Sequence, residues 1–399
     1  MINIATKEIQ MTRILTFFLP QFHNDPHNSQ WWGDGFTEWV NVKKAPTFFN
    51  GHRQPRVPLH GYYDLETPEA LDAQFKEAED FGVDGFVFYH YWSLGTRLLN
   101  KPIDMLLDNP EIGHGREFSL CWANHSWTRS WKNRQGAKDV LLEQEYEQTS
   151  ETMDAHIDFL MRCFADKRYT RHNGEPVFFI YRPEAIPNLQ QYIERLRERT
   201  LKTLGVSCHI SGTVTAWQSN WDYLQHLDAV TLAQPALSLY APEDIFATKQ
   251  KDTKVIFKPR HFVRTLPDWV KQLLYPIQDK FFDRCKRFDY DESWQKLLQQ
   301  IKIAQQTEHT IHASTFVDFD NTARYLKRAR LFDGFSPAKF ENYLTKAKSL
   351  IDNYEKSDFL LINAWNEWAE GMYLQADEEF GNARLEAVKR VSSSSEPTE

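Results

Sequence analysis

Two glutamates, Glu367 and Glu370, stand three residues apart in Asn363-Ala-Trp-Asn-Glu367-Trp-Ala-Glu370-Gly371, at the end of an apolar run. In a continuing strand, side chains three apart face opposite sides; in a helical turn they share a face. A bend near Glu367 would therefore bring both carboxylates to one substrate bond. In a partly apolar pocket lined by Trp, such a pair is pushed toward different pKa values, one acid and one base. Cleavage of a glycosidic bond needs that arrangement. The same spacing also suits acidic residues drawn to a helix N-terminus by its dipole. Trp365, Asn366 and Trp368 around the pair, and its place at a strand end, favour chemistry.

Polar and aromatic side chains gather after other apolar runs too. The first run ends in Gln21-Phe-His23, the second in Tyr89-His90-Tyr-Trp92, and the third passes Trp122 and Asn124 to His125-Ser-Trp127. The fourth ends in Tyr181-Arg182, the sixth in Gln234, and the seventh in Asp318-Phe-Asp320-Asn321. Indole faces stack on the C–H side of pyranoses while amides and imidazoles bond the hydroxyls. The candidate substrate-binding set is Gln21, His23, Trp39, His90, Trp92, Trp122, Asn124, Trp127, Tyr181, Arg182, Asp318, Asn321, Trp365 and Asn366. Roughly half of such Trp are core or loop-packing residues in any fold.

No metal site is expected. The chain has no H-E-x-x-H, and a lone Asp318-x-Asp320 is weak evidence for a cation. His23, His90 and His125 read better as hydroxyl-binding or satisfied core histidines. G-x-x-x-x-G-K-[ST] and G-x-S-x-G are absent, so phosphate-loop and serine-hydrolase readings drop out, and no cofactor is expected.

The elements that must position these residues are eight short runs rich in β-branched and aromatic residues. They are Ile14–Pro20, Val83–Trp92, Phe118–Asn124, Pro176–Pro183, Cys208–Val214, Leu227–Pro235, Ile311–Phe316 and Phe359–Trp365. Near-continuous apolar runs suit parallel strands covered on both faces. Helical signatures alternate with them: a Thr67-Pro-Glu opening that closes at Gly82, then Glu151–Ala165, Leu189–Leu204, Ser293–Gln306 and Phe340–Tyr354. The pattern predicts an α/β fold, a single (β/α)8 barrel over residues 11–390, with a disordered tail at 391–399. An open doubly wound sheet is the runner-up, without the G-x-G-x-x-G it would carry after its first strand. The weakest unit follows the fifth run, where only one short helix fits. Two long insertions, Gln21–Asp64 and Ala236–Asp291, are expected to be functional loops at the C-terminal face of the strands.

Composition narrows the partners. Trp, Tyr and Phe make up 14% of the 399 residues, and the net charge is −8. An acidic chain is a poor match to a phosphate backbone or an anionic bilayer, so nucleic acid is not an expected partner. No stretch reaches the length of a membrane span. The N-terminus lacks a basic start and apolar run, and the four cysteines form no C-x-x-C, so a reduced cytoplasmic protein is expected.

Phe18-Leu-Pro-Gln-Phe-His23, Trp31-Trp-Gly-Asp-Gly-Phe-Thr-Glu-Trp-Val-Asn41, Cys121-Trp-Ala-Asn124 and Asn363-Ala-Trp-Asn-Glu-Trp-Ala-Glu-Gly371 resemble the WbsX-like, glycoside hydrolase family 99-like proteins. The resemblance runs from about Ile14 to about Ala387 and implies a (β/α)8 barrel. N-E-W-x-E-G also resembles the motif of the family 99 endo-α-mannosidases. It implies a retaining mechanism in which Glu367 acts as base on the sugar 2-hydroxyl, through a 1,2-anhydro intermediate, and Glu370 as general acid and then base. The chain departs from the WbsX-like pattern at His125, where an acidic residue is usual, and at Ala323, where Pro is usual.

The expected function is a retaining, endo-acting, α-mannosidase-like glycoside hydrolase on an oligo- or polysaccharide such as a bacterial surface polymer. A glycosyltransferase of polysaccharide assembly is the alternative, in which the basic residues Lys249, Lys251, Lys254, Lys258, Arg260 and Arg264 would hold a diphosphate. A non-catalytic carbohydrate-binding module fits less well, since binding alone does not call for two neighbouring glutamates in an apolar pocket.

Overall fold

The structure is a computed structural model that describes residues 11–113, 115–129, 139–146, 149–218, 220–247, 270 and 284–394. Eight strands form its centre: β1 Arg13–Phe18, β2 Gly85–Ser93, β3 Glu117–Trp122, β4 Glu175–Ile180, β5 His209–Val214, β6 Ala229–Leu232, β7 Thr310–Phe316 and β8 Phe359–Asn363. Each pairs in parallel with its neighbours in chain order, and β8 returns to β1 through Arg13↔Phe359 to Thr16↔Ile362. The eight apolar runs are thus the eight strands of a closed barrel.

Among the described residues, seven helices of eight residues or more surround it: α1 Pro68–Asp80, α2 Lys101–Asp108, α3 Ser150–Phe164, α4 Leu189–Leu204, α5 Tyr290–Ala304, α6 Pro337–Asp352 and α7 Ala383–Ser393. Their starts follow from local chemistry. Thr67, Thr149, Asp289 and Ser336 each accept a hydrogen bond from a backbone N–H of the first turn, worth about 1 kcal/mol per cap. Gly205 closes α4 at φ +75°, a conformation that favours glycine. Helix α2 is too short for its periodicity to stand out in the sequence. Between β5 and β6 the described residues hold no α-helix, only a 3₁₀ turn at Asp222–His226, in keeping with the short spacing there. Helix α7 runs to Ser393, three residues into the expected tail, and Val391 packs into the core. Residues 395–399 lie outside the described residues.

Two layers of core account for the unbroken apolar runs. Ile14, Phe86, Phe88, Phe118, Ile210 and Ile362 face outward and pack with residues of the surrounding helices, such as Phe75, Leu160, Leu196 and Leu344. Leu15, Phe17, Val87, Cys121, Val177, Phe179, Phe359 and Leu361, all on strands, form a separate cluster with Ala364, the filling of the barrel. The other side of the interior is polar. Ser211 and Thr231 hydroxyls lie 2.8 Å apart, and His209 Nε2 lies 2.9 Å from His312 Nε2.

Buried histidines make acid stability a test of this packing. Burial, reinforced by neighbouring cations or imidazoles, lowers His90 to about 3, His209 to about 4, and His156 and His312 well below the ordinary 6.5. Each favours the neutral ring in the fold, so its stabilisation is complete above about pH 6.5 and is lost as pH falls toward the folded value. The loss approaches about 1.4 kcal/mol per histidine per pH unit. The urea midpoint is therefore expected to drop steeply between about pH 6.5 and 4.5. A flat midpoint over that range would show the rings to be solvated.

The first insertion crosses the C-terminal face. It carries short helices at Pro26–Trp32 and Trp39–Val42 and is tied down at its far end. There Arg53 and Arg56 donate to Asp318, while His52 Nε2 and Gln54 Nε2 lie 3.0 and 2.8 Å from Asp320 Oδ2. In the second insertion, Ala236–Tyr240 is helical and Lys286–Asp289 pairs with Arg330–Asp333. The basic residues Lys249 to Arg264 lie outside the described residues. Among the described residues, no helix is long and apolar enough to cross a membrane.

Candidate active site

The segment after β8 is held at both ends before it reaches the glutamates. Trp365 N–H donates to Phe17 O at 2.8 Å, and the Asn366 amide both accepts from Leu19 N–H at 2.7 Å and donates to Leu19 O at 3.0 Å. Asn366 thereby ties the end of β8 to the end of β1. Glu367 pairs with Met372, and between them Trp368–Glu370 makes one 3₁₀ turn. Side chains three apart eclipse in that geometry, so Glu367 and Glu370 project the same way. Gly371 closes the turn at φ +64°, and a Cβ there would sit 2.7 Å from Asp320 N, whose N–H donates to Glu370 O at 2.7 Å. The position requires glycine on both counts.

Both carboxylates meet one guanidinium. Arg324, on the short helix Thr322–Tyr325 after β7, pairs with Glu370 Oε1 through one terminal nitrogen. Through the other it lies 3.2 Å from Glu367 Oε2 and 3.2 Å from Glu38 Oε1. Glu38, from the first insertion, is fully buried. Burial, against the pull of Arg324 and with repulsion from Glu370 and Glu38, raises Glu367 to about 8. Burial raises Glu38 as well, and its carboxylates together raise Arg324 far above the ordinary value.

The pair opens into a cavity of about 1060 Å³ at the C-terminal mouth of the barrel. Phe17, Tyr89, Tyr91, Trp127 and Tyr181 give it an aromatic wall; Thr213, Thr231, Gln234, Ser314 and Asn363 give it hydroxyls and amides. That mixture of flat apolar faces and hydrogen-bonding groups suits sugar rings. A volume at the upper end of ordinary ligand sites has room for more than one ring.

The model of the family described as "Glycosyltransferase WbsX" matches residues 14–388, nearly all of the described barrel. The chain belongs to the WbsX family. Two relatives, each named "Uncharacterized protein WxcX", from Xanthomonas campestris pv. campestris strains B100 and ATCC 33913, are 30% identical over 97% and 98% of the chain. The chain spans about half the length of these curated relatives, 50% and 51%. Among solved structures, a glycoside hydrolase-like protein is similar with a TM-score of 0.58 at 12% identity, over 96% of this chain and 94% of that one. A GH99 endo-α-mannosidase from Bacteroides thetaiotaomicron is similar with a TM-score of 0.54 at 12% identity, over 95% and 96%. At that identity the likeness is one of fold: the WbsX-family chain has the barrel seen in these glycoside hydrolases.

Of the candidate residues read from the sequence, Gln21, Trp127, Tyr181, Arg182, Glu367 and Glu370 line the cavity of this WbsX-family barrel. The others do not line it. His90 Nε2 lies 3.1 Å from His156 Nε2, and Trp92 stacks on that same ring, both outside the barrel wall. Trp122 donates to Trp92 O, Trp365 to Gln74 and Trp39 to Tyr63 O. His23 bonds Pro20 O, and Asp318 is spent on Arg53 and Arg56. Asn124, Asn321 and Asn366 hold backbone: Asn124 bridges Arg182 N and O, Asn321 accepts from Arg330 N–H, and Asn366 grips residue 19. These three shape the mouth without facing it.

Tyr89 and Tyr91, named at the end of the second run but left out of the candidate set, line the cavity, and the strand-end reading misses both Arg324 and the Glu38 that it joins to the carboxylate pair. Burial and then Glu367 raise both tyrosines well above their ordinary value, so they stay neutral donors beside the carboxylate. His125, read in the sequence as a hydroxyl-binding or satisfied core histidine, lines the cavity and is lowered to about 4 by burial, with Arg182 and Arg324 adding to it. It is a neutral ring there.

Proposed function

We propose that the chain is a retaining glycoside hydrolase, endo-acting and α-mannosidase-like, on a bacterial surface or related polysaccharide. The observation that carries this reading is the projection of Glu367 and Glu370 from one turn into a cavity walled by aromatics and hydroxyls. Glu367, ionised, takes the proton of the sugar 2-hydroxyl as that oxygen closes on the anomeric carbon. Glu370 gives its proton to the leaving oxygen. Glu370 then takes a proton from the water that opens the 1,2-anhydro ring, and Glu367 returns its proton to O2. Two inversions give net retention. Arg324 favours the ionised form of Glu367 against burial, which favours the protonated one.

That balance gives the proposal a signed pH dependence. With Glu367 raised to about 8, a base role requires kcat/KM to climb as pH rises through about 8 in the free enzyme. Were Glu367 the acid, the same limb would fall. Release of reducing ends from a polysaccharide panel, with NMR of the first-formed anomer and kcat/KM measured across the limb, tests reaction, stereochemistry and role together. Glycosyl transfer in polysaccharide assembly is the second reading, favoured by the family's description. Turnover of a nucleotide sugar without any reducing-end release would establish it.

A further inference from the structure

The cavity has a second feature, built from Trp217, Tyr240 and Arg330. Trp217, in the loop after β5, lines the mouth and is 65% exposed, an unusual placement for so large an apolar surface. Its ring lies 5.0 Å from that of Tyr240 at an interplanar angle of 30°. Arg330 lies 5.1 Å and Lys286 5.7 Å from the centre of the same Tyr240 ring. The two cations are register partners on adjacent strands, Lys286↔Arg330, so they stand side by side. Neither forms an ion pair among the described residues. Arg330, Trp217 and Tyr240 all line the cavity that holds Glu367 and Glu370.

An open indole face beside two uncompensated cations matches one kind of ligand: a ring with an anionic substituent. Resting on the reading of this cavity as a glycan site, the geometry points to an outer subsite that selects acidic sugars. One pyranose of the chain stacks on Trp217, and its carboxylate or phosphate is held by Arg330 and Lys286. The substrate class is therefore an anionic polysaccharide, and the subsite sets which stretch of it reaches the glutamates. Guanidinium binds an oxyanion through paired N–H donors, and the ammonium beside it adds a point charge.

Binding rather than cleavage separates this from the hydrolase reading. The whole chain is titrated, by calorimetry and tryptophan fluorescence, with an oligogalacturonate, the same oligomer carboxyl-reduced, a mannose-phosphate oligomer, and UDP-glucose. One of the two acidic oligomers is expected to bind about tenfold or more tighter than the neutral twin, and which one identifies the anion. R330Q with K286Q should erase that preference, and Trp217→Ala should remove the fluorescence response, with circular dichroism unchanged because all three side chains are at the surface. Equal binding of charged and neutral oligomers, no binding of either acidic oligomer, or a preference untouched by the variants overturns the subsite. Response to UDP-glucose alone overturns it in favour of a nucleotide site. Acidic binding without cleavage would leave the subsite standing and remove the hydrolase reading instead.

Discussion

Glu367→Gln is expected to lower the rate of glycoside cleavage by about 10²–10⁴-fold on every substrate, and Glu370→Gln by a similar factor on natural glycosides. The two differ in what relieves them. A base on the 2-hydroxyl is needed whatever the leaving group, so Glu367→Gln should stay inactive on aryl glycosides. A general acid is needed least when the leaving group is already a weak base, so Glu370→Gln should recover most of the first step on a dinitrophenyl glycoside. Neither change should unfold the chain. Glu367 is raised by burial and by two neighbouring carboxylates, so a neutral amide there relieves repulsion. Near-wild-type turnover by either variant on a natural substrate would remove the mechanism and leave the barrel.

Arg324→Gln should be the most destabilising single change at the mouth. The guanidinium serves three carboxylates, one of them fully buried, and removing it leaves Glu38 in the interior without its cation. Breaking a buried ion pair by deleting one partner costs about 3–5 kcal/mol, read as a fall in the urea midpoint. Glu38→Gln in the same chain should restore part of that loss, because the uncompensated charge goes with it. Catalysis should report the change independently. Arg324 lowers the Glu367 pKa, so without it the rising limb of kcat/KM moves to higher pH. A variant of unchanged stability and unchanged limb would show that the three carboxylates are solvated and not held by this arginine.

The barrel was open to sequence reading because its signals are local. Unbroken apolar runs, the Thr67 cap and the glycine at 205 each act within a turn or a strand. The turn that aims Glu367 and Glu370 was legible for the same reason, being five residues of chain ending in Gly371. Helix α2 and the end of α7 were less so, since each has few periodic residues of its own and is held by packing.

Which strand-end residues face the cavity was not legible, and the reason is the barrel itself. Along β2, Val87, Tyr89 and Tyr91 point inward while Phe88, His90 and Trp92 point out. The same alternation sends Cys121 and Ala123 in and Trp122 and Asn124 out. With both faces covered, both phases are apolar, and a one-residue choice of phase exchanges the whole set. The sequence by itself determined the eight-strand α/β architecture and the carboxylate pair, because propensity, capping and spacing act between near neighbours. Only the tertiary structure decided what surrounds the pair. Arg324 meets Glu38 across 286 positions of chain, and no local pattern records a contact that exists only once the ring of strands has closed.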